Sequence, residues 1–269
     1  MAKDQAAVMK HWRQTQSQWD DANFLGTTAN AFMRLRWRRL NERAAAWLGA
    51  RARENGQGLD LVDVGCAHAD FEGFVRPQLR SYTGIEPSTA LLPKDRSEGK
   101  AFRLKRGQAE RLPLPKDSAD ALLLKEVLDH CYNPAKVLAE AARVLRPGGW
   151  ILITLTNDFA WYKRMFPSWA RRIKASQDDH LNFFEPDWVA RLLQQAGFEA
   201  LGREDSHYLR LPYRVEEPLG RLPGAYSRSI IAGSDAVGGL LAPDMGGSFW
   251  AWGRVPLQAA KRAKARSKA

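Results

Sequence analysis

The chain is predicted to fold as an α/β protein built on a doubly wound, mostly parallel sheet preceded by helices. Two observations carry this. Short apolar runs that end in turns alternate with stretches of helical period, the pattern of parallel strands joined by crossover helices. The chain has 269 residues, 45% of them hydrophobic and 26% charged, which suits one α/β domain with additions.

The elements follow in order. Gln5 to Trp19 and Ala29 to Arg53 are rich in helix formers, and Phe32, Leu35, Leu40, Ala44 and Leu48 recur at helical spacing. Arg34, Arg36, Arg38 and Arg39 read as a solvated face of that helix. Leu59 to Val64, ended by Gly65, reads as a buried strand, and Phe71 to Leu79 as a helix. Ser81–Glu86, Phe102–Lys105, Ala119–Leu124 and Trp150–Leu155 read as further strands. Pro134 to Leu145 is an amphipathic helix with Asn133 as N-cap and Pro134 at its first position; Arg146-Pro147-Gly148-Gly149 ends it. Pro186 to Ala196 is a helix closed by Gly197, and strands are expected over Phe198–Arg210 and Ser248–Val255. Leu219 to Gly247, rich in Gly and Pro, gives no clear element.

The formal net charge is +11, and Lys261, Arg262, Lys264, Arg266 and Lys268 stand in the closing stretch. Solubility and a solvated tail account for this; an anionic partner is the sharper alternative. Ten tryptophans exceed what packing alone requires and suggest an apolar pocket or surface. Cys66 and Cys131 cannot build a disulfide framework, and no cluster of Cys and His spaced for a metal is visible. No signal-like or membrane-spanning apolar run is present, so a cytoplasmic location is expected.

Three places at strand ends fall in line. Asp63-Val64 runs into Gly65-Cys66-Ala67-His68-Ala69, a turn of small residues whose backbone a ligand can approach. Glu86 ends the second strand, placed as an acid gripping ribose hydroxyls would be. Gln108-Ala109-Glu110 follows the third strand, where an adenine edge could be read. The segments Val62–Cys66, Gly84–Ser88, Gln108–Pro113, Val127–His130 and Arg143–Gly149 resemble the class I S-adenosylmethionine-dependent methyltransferases, in particular their ubiquinone/menaquinone-biosynthesis and small-molecule branch.

That resemblance implies a Rossmann-like fold of seven strands, the last antiparallel, with S-adenosylmethionine as cofactor. With the helical period of the first stretch and the basic closing stretch, it divides the chain into an N-terminal helical cap over residues 1–56, a cofactor-binding methyltransferase domain over 57–256 and a basic tail over 257–269. By the same resemblance Asp63, Gly65, Cys66 and Ala67 border the methionine and ribose, Glu86 holds the ribose hydroxyls and Pro87 flanks the adenine. Gln108 and Ala109 meet the adenine edge, and Lys125 and Glu126 lie under the methionine end. The family usually has Gly where this chain has Ala67 and Ala69, and often Asp where it has Gln108. A Cβ at Ala67 is compatible with negative φ. The chain has no complete G-x-G-x-x-G, which argues against a nicotinamide dinucleotide.

Methyl transfer needs alignment and a dry site, and a base only when the nucleophile must lose a proton. His130, after the fourth strand, and His180, in Asp178-Asp179-His180-Leu181-Asn182-Phe183-Phe184, are the candidate bases; either could instead bond loop backbone. Asp129 could tune His130 or cap a helix. Trp161 and Tyr162 open an aromatic and basic stretch that could meet an acceptor or touch a membrane surface peripherally. The leading expectation is methyl transfer to a small-molecule, glycan or lipid-type acceptor, on oxygen. Transfer to RNA or protein is the second reading, motivated by the charge, and a non-catalytic binding protein on this fold is the third. A base-carbon nucleophile is absent, since Cys66 follows Gly and Cys131 follows His; an Asn/Asp-Pro-Pro-aromatic turn is absent from Lys125–Leu128.

Overall fold

A computed structural model describes residues 31–257 except 90, 94–98, 100, 169–179, 209–217, 220 and 223, and leaves out the side chains of 31–33 and 200. The helix expected over Gln5–Trp19, the part of the aromatic and basic stretch from Trp169 to Arg172, and the basic tail from residue 258 lie outside the described residues.

Seven strands form one sheet: β1 Leu59–Val64, β2 Leu79–Glu86, β3 Phe102–Arg106, β4 Ala119–Lys125, β5 Leu145–Thr156, β6 Glu199–Ser206 and β7 Ser248–Arg254. Their order is β3-β2-β1-β4-β5-β7-β6. Pairing is parallel from β3 through β5, and β7 runs antiparallel to both β5 and β6. The seven-stranded sheet with an antiparallel last strand is therefore present. Strand β1 (LDLVDV) and strand β4 (ADALLLK) are buried on both faces, as inner parallel strands must be. The edge strand β3 has only half-buried and exposed residues, which is why its sequence signal is faint.

The strand order reverses between β1 and β4, where Val64 pairs with both Ile85 and Leu124. Crossovers diverge there and leave a crevice beyond the carboxyl ends of the strands. Helices cover both faces. α1 (Ala31–Asn55) and α2 (Glu72–Val75) lie on one side, with Leu40, Ala44 and Leu48 of α1 buried against Leu59, Leu61 and Leu123 of the sheet. α3 (Pro134–Val144) and α5 (Pro186–Gln195) lie on the other, with Leu138, Ala141 and Val189 packed on Leu122, Ile151 and Ile153. The short α4 is Trp161–Met165, and α6 is Gly224–Leu241.

Four expectations need correction. The helix over Phe71–Leu79 shrinks to α2 and a 3₁₀ turn, Arg76–Gln78, because Pro77 lacks an N–H and crowds the residue before it. The Gly-rich stretch after Leu219 contains α6, where Gly238 lets the Tyr208 ring lie on the helix: a Cβ there would stand 2.1 Å from Tyr208 Cγ. Packing outweighs weak propensity at that position.

The arginine cluster of α1 is not uniformly solvated. Arg34 and Arg38 are exposed, but Arg36 is 1% exposed and Arg39 sits 3.6 Å from Asp235 of α6. Nor are all the tryptophans surplus to packing. Trp47 of α1 meets Trp150 edge-on at 5.7 Å and Trp252 at 6.0 Å, and the Arg51 guanidinium lies 4.5 Å from the Trp47 ring and 4.7 Å from Trp150. These rings form the seam between α1 and the paired strands β5 and β7.

Candidate functional site at the carboxyl ends of the strands

The bend after β1 and the acid after β2 converge. Gly65 has φ +72, and the Gly65 and Cys66 N–H groups donate to Ile85 O at 2.7 and 3.2 Å. The Ala67 N–H donates to Glu86 Oε2 at 3.1 Å, and the Ser88 N–H donates to Oε1 at 3.0 Å. Each Glu86 oxygen accepts from one of these N–H groups and has capacity for another donor, the arrangement a vicinal ribose diol needs. Burial pushes the Glu86 carboxyl up, and the two N–H groups pull it back. Pro87, next in sequence, is half-buried.

Ala67 and Ala69 both adopt left-handed backbone, φ +46 and +57. The negative φ that would make a Cβ at Ala67 free of strain is therefore not the one adopted. The bend demands these angles whatever residue occupies them, and alanine accepts the strain that glycine would avoid.

The third piece joins the same place. The Gly107 N–H donates to Glu86 O at 3.2 Å, which sets Gln108 and the buried Ala109 beside the end of β2. Arg143 of α3 holds this loop by donating to Leu112 O at 3.2 Å and Leu114 O at 2.9 Å, while Glu140 accepts the Leu112 N–H at 3.0 Å. The arginine that opens the Arg143–Gly149 motif thus clamps the loop that follows β3. Buried Glu110 ties the loop onward by accepting the Tyr132 N–H at 3.0 Å.

Asp63, 2% exposed, accepts the Tyr82 hydroxyl at 2.6 Å. Burial pushes its carboxyl up; the Lys125 charge and the Tyr82 bond oppose this. Lys125 donates to Asn41 of α1 at 3.0 Å and lies 5.0 Å from the Phe71 ring and 5.7 Å from the Trp37 ring. Burial holds the Lys125 ammonium below its ordinary range, against the pull of Asp63. The sequence reading missed Asn41 and Trp37; nothing local marks them, since their position depends on where α1 docks. Burial, then the charges of Asp63 and Glu86, push the Cys66 thiol far up, so it offers no thiolate.

Beyond Lys125 the chain turns sharply. Glu126 has φ +53, accepts the Thr156 hydroxyl at 3.2 Å, and is pushed up to about 8 by burial and by the Asp129 charge. Gly65 makes room for this turn, because a Cβ there would stand 2.4 Å from Val127 Cγ2. Leu128–His130 then form a 3₁₀ turn.

His130 and His180, 50 residues apart in sequence, meet here with rings 4.8 Å apart and perpendicular. The meeting is anchored by backbone. The Leu181 and Asn182 N–H groups both donate to Asp129 O, at 2.8 and 3.0 Å, and Asn182 Nδ2 donates to Cys131 O at 2.6 Å. Asp129 caps no helix with its side chain; its carboxylate lies between the imidazoles, Oδ2 at 3.4 Å from His180 Nε2 and Oδ1 at 3.8 Å from His130 Nε2.

Trp161 and Tyr162 are held elsewhere along the same rim. The Trp161 indole N–H donates to Tyr208 O at 2.8 Å and its backbone N–H to Met245 O at 3.1 Å, while Tyr162 is 4% exposed. Trp161 therefore anchors α4 to the segment around Tyr208 and Met245. A cavity of about 770 Å³ between α1, β6 and α6, lined by Arg39, Arg43, Glu204, Asp205, Tyr208 and Asp235 among others, includes none of the candidate cofactor, substrate or catalytic residues read from sequence.

Sheet and site together define a doubly wound α/β protein with a crevice at its switch point, bordered by the Gly65 bend and Glu86. Residues 30–202 match a family model described as a methyltransferase domain, and the chain belongs to that family, within the class I S-adenosylmethionine-dependent methyltransferases. A methyltransferase of Mycolicibacterium smegmatis, described as S-adenosylmethionine-dependent, is 27% identical over 62% of this chain and 57% of its own length. A phthiotriol/phenolphthiotriol dimycocerosates methyltransferase of Mycobacterium ulcerans is 36% identical over 36% of this chain and 37% of its own. The matches thus span little more than half of the first relative and a smaller share of the second. The solved structure of a methyltransferase from Thermotoga maritima shares the fold, with a TM-score of 0.51 at 18% identity over 81% of this chain and 94% of that one. S-adenosylmethionine is the cofactor of the family. Among the described residues no helix is long and apolar enough to cross a membrane.

Proposed function

We propose that this protein transfers the methyl group of S-adenosylmethionine to a hydroxyl oxygen of a small-molecule or lipid-type acceptor. The observation that carries the proposal is the pair His130 and His180, set around Asp129 at the strand edge where the Gly65 bend packs on Val127. A hydroxyl is a poor nucleophile until it loses its proton, and this cluster stands where a proton can be taken. The cofactor supplies an activated methyl on a sulfonium sulfur. Glu86 holds the ribose, the Gly65–Ala67 backbone borders the sulfur-bearing arm, Gln108 and Ala109 meet the adenine, and Lys125 and Glu126 close the methionine end. His130 and His180 are the proposed catalytic residues. As the new O–C bond forms and the C–S bond breaks, the hydroxyl proton passes to the cluster. Buried Asp63, Asp129 and the α1 side chains keep bulk water from the reacting atoms. The mycobacterial relative named for a lipid supports the acceptor class.

The test uses S-adenosylmethionine carrying a tritiated methyl group, offered with separate lipid, small-molecule, RNA and protein fractions. Label in the lipid or small-molecule fraction, stable to base as an ether is, is expected. Label confined to RNA or protein would overturn the acceptor class. Absence of heat on titrating S-adenosylmethionine into the protein would overturn the enzymatic reading altogether.

A further inference from the structure

The Asp129 carboxylate is 3% exposed, and neither of its oxygens has a hydrogen-bond partner. A buried carboxylate left so is costly, and elsewhere in this protein buried acids are paired: Glu86 by two N–H groups, Glu110 by one, Asp63 by a tyrosine. Two imidazoles stand close enough to relieve Asp129, yet they stop at 3.4 and 3.8 Å. A charge-assisted imidazole–carboxylate hydrogen bond closes to about 2.7–2.9 Å. Separations near 3.4 Å have a different natural cause. Donors that share a tetrahedral cation with bonds of about 2.0–2.2 Å lie roughly 3.3–3.6 Å from one another. One ligand atom from each of Asp129, His130 and His180, a carboxylate oxygen and two imidazole nitrogens, lies within 4.8 Å of the other two.

We propose that Asp129, His130 and His180 form a binding site for a divalent transition-metal ion, Zn²⁺ being the type. Two imidazoles and one carboxylate select a borderline ion such as Zn²⁺, Co²⁺ or Fe²⁺ over Mg²⁺ or Ca²⁺, which favour all-oxygen ligands. Three protein ligands leave a coordination position open, as in catalytic sites. The ligands are placed before any ion arrives: the Asp129 carbonyl accepts from Leu181 and Asn182 and thereby sets His180 beside His130. The inference rests on the reading of the same cluster as the acceptor's site and deepens it. An acceptor hydroxyl bound at the open position would lose its proton to solvent base near neutral pH, because the ion stabilises the alkoxide. The histidines then act as ligands in place of the proton acceptors described above, and the proton leaves to solvent while the acceptor is entering, before the methyl moves.

The test reads metal, not turnover. The full chain is stripped with chelator, dialysed and titrated with Co²⁺, a spectroscopic stand-in for Zn²⁺. One Co²⁺ per chain is expected, with ligand-field absorption in the visible, displaced by added Zn²⁺. His180→Ala and Asp129→Asn should each weaken Co²⁺ binding by at least about 10–100-fold, the loss seen when only an outer partner of a metal ligand is removed. His180→Gln, which keeps most of the side chain's bulk, is the second variant should the first be unstable, with far-UV circular dichroism and melting temperature as fold controls. His207→Ala, a histidine whose Nδ1 lies 3.0 Å from Ser248 Oγ at the end of β6, should bind Co²⁺ unchanged. No visible band in the wild type, or a band undiminished in the fold-intact His180 and Asp129 variants, would overturn the site. Heats of S-adenosylmethionine binding are measured on the same stripped samples. Cofactor heat without a cobalt band overturns the metal site and leaves the methyl-transfer reading standing. A cobalt band without cofactor heat supports the metal site and removes the methyl-transfer reading.

Discussion

At the residue scale, the bend after β1 is the most constrained stretch. Ala67 and Ala69 occupy backbone angles that cost a Cβ-bearing residue about 1–2 kcal/mol each. Glycine removes that strain and gives back part of it as chain entropy. Ala67→Gly is therefore expected to raise stability by about 0.5–1 kcal/mol in urea unfolding, with no loss of cofactor affinity. Glu86 stands at the opposite pole, since its two accepting oxygens organise the bend. Glu86→Ala removes the partner of the Ala67 and Ser88 N–H groups as well as the proposed ribose contact. Calorimetry should show S-adenosylmethionine binding weakened by about 1–3 kcal/mol, the cost of leaving buried donors unmatched. Unchanged affinity would remove Glu86 from the cofactor site.

At the element scale, helix ends and seams carry the local energetics. Asn133 caps α3 by accepting the Lys136 N–H at 3.0 Å, with Pro134 in the first helical position. Asn133→Ala should cost about 1 kcal/mol of unfolding free energy. α3 also carries Glu140 and Arg143, which clamp the loop beyond β3, so the same variant tests whether fraying at the helix start reaches the adenine end. Cofactor affinity is expected to change less than stability, because the clamp sits in the last turns of α3. α5 closes as its sequence foretells, with Gly197 at φ +88 and the Phe198 N–H returning to Leu193 O at 3.0 Å.

At the scale of the whole molecule, the two ends of the sheet divide labour. The carboxyl ends hold the site. At the amino ends, Asp60 of β1 and Asp120 of β4 are bridged by Arg80 of β2 and Arg146 of β5, with Arg146 3.0 Å from Asp60 and 2.7 Å from Asp120. In this network Arg146, near the start of β5, ties that strand to β1 and β4, and Arg80 brings in β2. Burial pushes the Asp60 carboxyl up, but the bonds from Arg80, Ser81 and Arg146 prevail and hold it at about 2, below its ordinary 3.8. A carboxyl lowered on folding adds stability above its unfolded pKa, and that stability is lost as pH falls through the folded one. An acid-sensitive contribution between about pH 4 and pH 2 is expected, of about 1 kcal/mol once solvent screening is allowed for. Asp60→Asn should flatten the unfolding free energy across that window.

The sequence alone determined the strand-and-turn alternation, the bend at Gly65, the acid at Glu86, the Asn133 cap and the Gly197 stop. Each of these is written within a few neighbouring residues, because pleat, cap and turn chemistry are local. Only the tertiary structure decided the rest. It buried Arg36, gathered Trp47, Trp150 and Trp252 into one seam, made a helix of the Gly-rich stretch, and imposed left-handed angles on two alanines. It also brought His180 across 50 residues to His130 and set Asp129 between them. Such contacts are fixed by which surfaces the folded chain presses together, and a contact between distant residues leaves no local period to read.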